Sequence, residues 1–344
     1  VGGSVTEGTN ANLVVILANG TLTLNGAAAQ SINAAIDSDS GNDGDIIVSN
    51  TSAAGVTFVD VVGGAGTDEI GSITVASGST ATFSNTVDAL VITNNGTLAL
   101  NNAVDGAALA SIVMNASDSV LNFNSASTRD LDMVVTAATD GFGTINVIDT
   151  SGGAAAAAQV LSGGDIGTTS KRIGTLNVGS TALNGALTTI DGDAIFVDAL
   201  NVVGGNATNE HSILSIVENV TTTNGMVLTA EGVGNAELSF DTTASTVAGT
   251  VDSGSGTDGA GATILDVDIG ATFANNVGAT TAIELMTIPN SVQVDLDGAT
   301  NAIESIVMTD AAVLEFDAAS DQSFTGTITF AADNDGTIIN ANTD

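Results

Sequence analysis

Apolar and polar residues alternate in short runs along nearly the whole chain, and Gly, Asn, Asp and Ser break the runs. Residues 13–26 read LVVILANGTLTLNG, turned by Asn19-Gly20 and Asn25-Gly26, dipeptides that favour the positive backbone angles of tight turns. IIVSN (46–50) and VTFVDVV (56–62) follow, then SITVA (72–76), ATF (81–83), ALVI (89–92), GTLAL (96–100), SIVM (111–114) and VLNF (120–123). Each run is short, mostly rich in β-branched side chains and bounded by turn formers, which predicts strands. Two stretches fit a short helix instead: AAAQSINAAI (27–36), ending in the Gly/Asp-rich turn DSDSGNDGD (37–45), and GGAAAAAQVL (152–161), a single-turn insert.

The pattern repeats. GGAGTDEIGSITV (63–75), ATFSNTV (81–87) and ASIVMNASDSVLNFNSAS (110–127) return in order as SGSGTDGAG (253–261), ATFANNV (271–277) and ESIVMTDAAVLEFDAAS (304–320). The displacement is nearly constant, from 64 to 254, from 83 to 273 and from 123 to 316. A degraded third copy opens VVGGNATNEHSILSI (202–216), and GTINVI (143–148) resurfaces as GTLNVG (174–179). Phe83 should therefore match Phe273, Met114 match Met308 and Phe123 match Phe316, all pointing inward.

Within the last third, TAIELMTIPNSVQVDLDGA (281–299) lies on NAIESIVMTDAAVLEFDAA (301–319) without gaps at a shift of twenty. Short strands and turns repeating at about 20 residues are the signature of a solenoid coil. The fold expected is all-β: one elongated β-solenoid over 1–344, a parallel β-helix or β-roll, with a duplicated block at 63–127 and 253–320. At about 4.8 Å per coil, roughly sixteen coils would span on the order of 75 Å. Pro289 falls in a turn, where its missing N–H is harmless. Tandem immunoglobulin-like sandwiches fit poorly, since Trp and Tyr are absent.

Charge sharpens the picture. Asp and Glu number 39 against 3 Lys and Arg, for a formal charge of −36. Mean hydropathy of +0.37 and 43% hydrophobic residues oppose disorder. The anomaly is a loss of cations, so most carboxylates lack a salt-bridge partner, and self-repulsion must be offset by salt or bound cations. Nucleic acid is a poor partner for such a surface, and no apolar run approaches a membrane span. Without Cys there are no disulfides or thiolate metal sites. A chain opening on Val1 reads as a mature, processed secreted protein. Sequons occur at Asn19, Asn50, Asn95, Asn115, Asn206 and Asn219. The adjacent Lys171 and Arg172, in a Ser/Thr/Gly loop, are expected to be solvated.

Candidate chemistry sits in Gly/Asp turns. Residues 63–70, GGAGTDEI, fit the G-G-x-G-x-D-x-apolar nonapeptide of calcium-binding β-rolls. Gly64 and Gly66 let the turn fold tightly so that carbonyls point inward, and Asp68 supplies a carboxylate for a hard cation. Gly254, Gly256 and Asp258 repeat the core, while Asn209 holds the Asp position in the third copy. Asp43 with Asp45 and Asp333 with Asp335 are further acidic turns and candidate ligands; Asp191 with Asp193 and Asp295 with Asp297 are other acidic turns. Such turns also form with Asp bonded to its own backbone. Calcium is the cofactor these residues suggest.

With GGAGTDEI, GSGTD and the acidic TAIELM and NAIESIVM coils, the chain resembles RTX-type bacterial surface-layer proteins over about 55–130 and 245–344. GTINV, IGTTSKRIGTLNVG and VDALNVVGG (143–205) are similar to autotransporter passengers of the rickettsial surface-antigen type. The first resemblance implies a calcium-dependent β-solenoid tiling the cell exterior, the second an exported β-helix. Both imply a structural role at the cell surface.

Catalysis finds little support. His211 is the single imidazole, in the loop NEHS, with no nucleophile elbow beside it. Zinc would have one imidazole and no thiolate. Carboxylate pairs abound, but the ten Phe mostly alternate with polar residues, as core positions do. The expectation is a non-enzymatic extracellular protein of a layer or fibre, assembling with copies of itself and stabilised by calcium. The alternatives are an adhesin that meets a receptor or cell-surface glycan, and a polysaccharide-degrading β-helix or phage tail fibre.

Overall fold

The structure is a computed structural model. It describes residues 5–6, 14–16, 19–39, 42–64, 69–101, 111–125, 129–132, 134–149, 158–162, 164–180, 186–191, 194–205, 211–230, 233–241, 243–254, 261–331 and 336–341. The chain is a β-solenoid of about 11 turns of parallel strands. Among the described residues there is no helix, hence none long and apolar enough to cross a membrane. The turns group into two compact units, Val1–Val147 with Gln159–Gly174, and Ile148–Ala158 with Thr175–Asp344.

In the first unit one wall stacks Thr21–Leu24, Asp43–Val48, Ile70–Val75, Val91–Asn94, Ser111–Met114 and Val134–Ala137. A second wall stacks Val5–Thr6, Gln30–Asn33, Val56–Phe58, Thr80–Phe83, Thr97–Leu100 and Val120–Ser125. In-register parallel pairing puts like positions above one another, so inward residues form columns. Ile46, Ile73, Ile92, Ile112 and Val135 make one such column, every member fully buried. Burying each aliphatic side chain contributes about 1.5–3 kcal/mol. Phe58, Phe83, Leu100 and Phe123 make another. The Phe58 and Phe83 rings lie parallel with centroids 4.6 Å apart.

The second unit follows the same plan. Ser212–Ile216, Ala236–Phe240, Thr263–Val267, Ile283–Ile288, Thr300–Met308 and Ser323–Phe330 form one wall. Asn219–Thr222, Ser245–Ala248, Gly270–Phe273, Gln293–Leu296, Val313–Phe316 and Thr337–Asn340 lie in another. Its column Phe273, Leu296, Phe316 reproduces the Phe83, Leu100, Phe123 column of the first unit. Met114 and Met308 both close their strands and are fully buried. The duplication is therefore a duplication of core stacking. Of these six residues Phe316 alone is half-exposed, and the next rung of its column is Asn340.

The shift of twenty holds where the sequence shows it, with Ile283 beside Ile303, Ile288 beside Met308 and Leu296 beside Phe316. The turns match as well: Ser291 and Ala311 are both left-handed, at φ 63° and 58°, and Val292 N–H bonds Pro289 O as Ala312 N–H bonds Thr309 O. Elsewhere the spacing varies, from 17 residues at Thr97–Thr80 to 25 at Val56–Ala81 in the strand register. Coil-to-coil hydrogen bonds join residues 20 apart at Asn115–Asn95 but 24 apart at Asn146–Asn122, 27 at Ser72–Asp45 and 28 at Thr280–Asp252. Lengthened corners replace the uniform twenty-residue coil and explain why about eleven turns are present rather than sixteen.

The helix expected at 27–36 is instead two strands, Gln30–Asn33 and Ile36–Ser38. Residues 30–38 alternate strictly between buried and half-buried positions, a period of two that no helix satisfies. Gln30 is buried, and its Oε1 accepts from Gly26 N–H and from Asn50 Nδ2. In the second expected helix, 158–162 is a strand, Ala158–Ser162, paired with Arg129–Asp132. Residues 152–157 lie outside the described residues.

Candidate functional site

Parallel register also builds columns on the outside of the coils, and in the second unit these are rich in carboxylates. On one wall the outward column runs Ser239, Asp266, Thr287, with Glu237 beside Ile264 and Ile213 in the adjacent column. Asp241 and Asp268 follow the ends of their strands. Burial, then Asp266, Asp241 and Asp268 in that order, push the Glu237 carboxyl up to about 7. Ile213 and Ile264 flank Glu237 along its column. Asp268 is raised too, first by partial desolvation and then by Asp266 and Asp241.

On the other wall Thr272, Asp295 and Glu315 stack directly. Like charges opposite one another across strands are destabilising, and Gln293 relieves this pair. Its Nε2 donates to Asp295 Oδ1 at 2.7 Å and to Glu315 Oε2 at 2.9 Å. Asp297, one step outward, is raised by burial and then by Asp295 and Asp317.

Where cations are missing, hydroxyl and amide donors from neighbouring coils take their place. Ser72 Oγ donates to Asp45 Oδ1 at 2.5 Å, and Ser215 Oγ to Asp241 Oδ2 at 3.0 Å. Thr287 of the next coil donates to Asp266, and Ser239, on the same coil, donates to Asp241. Asp252 Oδ1 accepts from Thr280 N–H at 2.8 Å, and Glu284 Oε2 from Thr263 N–H at 2.5 Å. Among the described residues one ion pair forms, Arg172 with Asp140 at 2.6 Å. Arg172 is therefore paired rather than solvated; its backbone N–H also bonds Asp140 Oδ1. Lys171 is exposed on a tight turn closed with Thr168.

The candidate calcium ligands are dispersed. Gly64 and Gly254 are described, each next to a corner where a valine bridges the following coil: Val62 to Val87 and Val251 to Val277. Gly66, Asp68, Gly256, Asp258, Asp333 and Asp335 lie outside the described residues, as does Asp193. Asp43 and Asp45 belong to the strand Asp43–Val48 rather than to a turn, and Asp45 is engaged by Ser72. Among the described residues no three Asp, Glu or His side chains converge as metal ligands. The described members of the predicted set thus do not assemble a coordination shell. The cluster around Glu237 was not among the predicted sites; Asp295 and Asp297 were read as an acidic turn, whereas Asp295 belongs to the strand Gln293–Leu296. The sequence trace of both clusters is an acid at every second residue, as in LDVD (265–268) and VDLD (294–297).

His211 is half-buried, and its Nδ1 accepts the Asn235 backbone N–H at 2.9 Å. Asn235 Oδ1 in turn accepts from Ala262 N–H, so the imidazole is a rung between coils. Asn50 of the sequon 50–52 is fully buried, with Nδ2 donating to Ala28 O and Oδ1 accepting from Ser52 N–H, and its side chain is out of reach of a glycosyl donor. A shallow groove of about 370 Å³ opens beside the Asp295 column, lined by Thr246, Ile269, Thr272 and Gln293 among others and by no aromatic ring. No family model, curated protein or solved structure matches the chain.

Proposed function

We propose that the chain is a structural subunit of an extracellular layer or fibre, assembling with copies of itself and stabilised by cations, calcium among them. The observation that carries this reading is the stacking of outward carboxylates coil upon coil, with one ion pair among the described residues. Such a surface keeps copies apart at low ionic strength and lets them approach once cations gather between them. The solenoid supports the role in a second way, because a regular ladder presents the same outward chemistry over successive coils.

Electron microscopy of the purified protein in calcium, in matched sodium chloride and in excess chelator tests the proposal. Ordered sheets or filaments in calcium that disperse in chelator are the expected result. Isolated particles under all three conditions overturn it and favour the adhesin.

A further inference from the structure

We infer that the outward face of one wall in the first unit is a lateral joint with the same face of a second copy. The inference rests on the layer or fibre reading and assigns one contact within it. The wall is the stack that runs from Thr21–Leu24 to Val134–Ala137. Its central outward column is Thr23, Ile47, Thr74, Thr93, Val113 and Thr136, in register through all six strands. None of the six is buried. The columns on either side are built from Thr, Ser, Val, Asn and Ala. They hold one carboxylate among the described residues, Asp45, whose Oδ1 accepts from Ser72 Oγ.

Charge and side-chain chemistry select the occupant. The second unit carries Glu237, Asp266, Asp295 and Glu315 in its outward columns. At a formal charge of −36, two copies repel wherever such walls face each other, and they approach at least cost across the neutral wall. That wall is also self-complementary. Hydroxyl and amide side chains both donate and accept hydrogen bonds, so a Thr, Ser and Asn face can satisfy its own twin. Ionised carboxylates only accept, so an acidic wall cannot. Ile47 and Val113 place aliphatic surface between the hydroxyls, and contact with a second copy removes it from water.

The size of the face sets the strength of the joint. Six strands about 4.8 Å apart, each showing roughly five residues at about 3.3 Å, make a face on the order of 450 Å². Two such faces bury about 900 Å², near the lower bound of a specific interface. A single pair is therefore held weakly, and repetition in a layer strengthens it. Pairing like faces closes at two copies. Growth beyond the dimer falls to the acidic walls and the cations between them, so the dimer should outlast chelation and larger assemblies should not.

Sedimentation velocity at rising protein concentration, in excess chelator and several tenths molar sodium chloride, tests the joint apart from the layer. Wild type is expected to show a monomer–dimer equilibrium that stops at the dimer. Thr93→Glu sets a like charge from each copy in the middle of the joint and should weaken dimerisation about tenfold or more. Thr329→Glu adds the same charge at an exposed position of the second unit and should leave dimerisation unchanged. Thermal melts establish that both variants are folded. The chain has no Cys, so a single Cys at Thr74, Thr93 or Val113 gives a second readout. A short bis-maleimide should link copies through at least one of these three positions and not through Thr329→Cys. If Thr93→Glu does not fold, this crosslinking decides. A monomeric wild type, or dimers that Thr93→Glu leaves intact and that do not crosslink through the wall, overturns the joint. Sheets or filaments grown in calcium from the same material would then leave the layer reading standing, and their absence would remove both.

Discussion

At the scale of single residues, close coil contact constrains glycine at a few positions. Gly278 has φ +68°, and a Cβ there would lie 1.9 Å from Ala302 O on the next coil. Gly78 has nearly the same backbone, φ +71°, with nothing within 4 Å of a Cβ. Gly78→Ala should therefore cost only the left-handed strain of an L-residue, about 1–2 kcal/mol. Gly278→Ala must also displace backbone and should cost more than twice as much in urea unfolding. Equal costs would mean that the coils are not packed this closely. Glu237 supplies a second test. Its folded carboxyl is raised from 4.5 to about 7, so the folded state retains a proton that the unfolded chain loses. Its contribution to stability is fully present below about pH 4.5 and is lost as pH rises to about 7. Asp268 and Asp297 shift in the same direction. Glu237→Gln should be more stable than wild type at pH 7.5 and nearly equal to it at pH 4. A melting temperature with the same pH slope in both proteins would refute the assignment.

At the scale of strands and coils, two kinds of column hold the fold, one apolar and inward, the other polar and outward. Gln293 tests the outward kind, since its amide separates stacked Asp295 and Glu315. Gln293→Glu would add a third carboxylate and should lower the melting temperature more in 10 mM than in 500 mM salt, because screening shortens to a few ångströms at high ionic strength. A loss independent of salt would show that the amide acts by packing alone. Phe273→Ala tests the inward kind and should cost about 3–5 kcal/mol, as should Phe83→Ala in the matching column. The inward columns were legible in the sequence because a period of two and a repeated SIVM or ATF are local signals. The outward partnerships were not. Ser72 meets Asp45 across 27 residues and Thr280 meets Asp252 across 28, and these offsets vary with each corner. Residues 27–36 misled for a related reason: their alanines favour a helix, yet burial of Gln30 against Asn50 exists only once the next coil is in place. GGAGTDEI stands out as a motif, but its residues 65–68 lie outside the described residues, and Asp43 and Asp45, read as a turn from composition, belong to a strand.

At the scale of the whole molecule, the formal charge of −36 opposes folding and association alike, and neighbouring-coil donors answer it only locally. Hydroxyl and amide donors can satisfy a carboxylate oxygen without removing its charge. The long-range repulsion therefore persists after the hydrogen bonds are made, and mobile ions must reduce it. Melting temperature should rise with sodium chloride and level off once the screening length falls below the spacing between acidic clusters, at several tenths molar. Calcium should do more than its ionic strength accounts for. Neighbouring carboxylates such as Asp297, Asp295 and Asp317, whose repulsion adds to burial in raising the Asp297 carboxyl, concentrate a divalent ion more strongly than a monovalent one. Any ion that favours the folded arrangement raises stability by mass action. The decisive comparison is melting in calcium chloride against sodium chloride at equal ionic strength, followed by excess chelator. An excess calcium shift that chelator reverses is expected, and Asp297→Asn should reduce it. Superimposable curves in the two salts would leave screening as the sole action of cations and remove calcium from the proposed role.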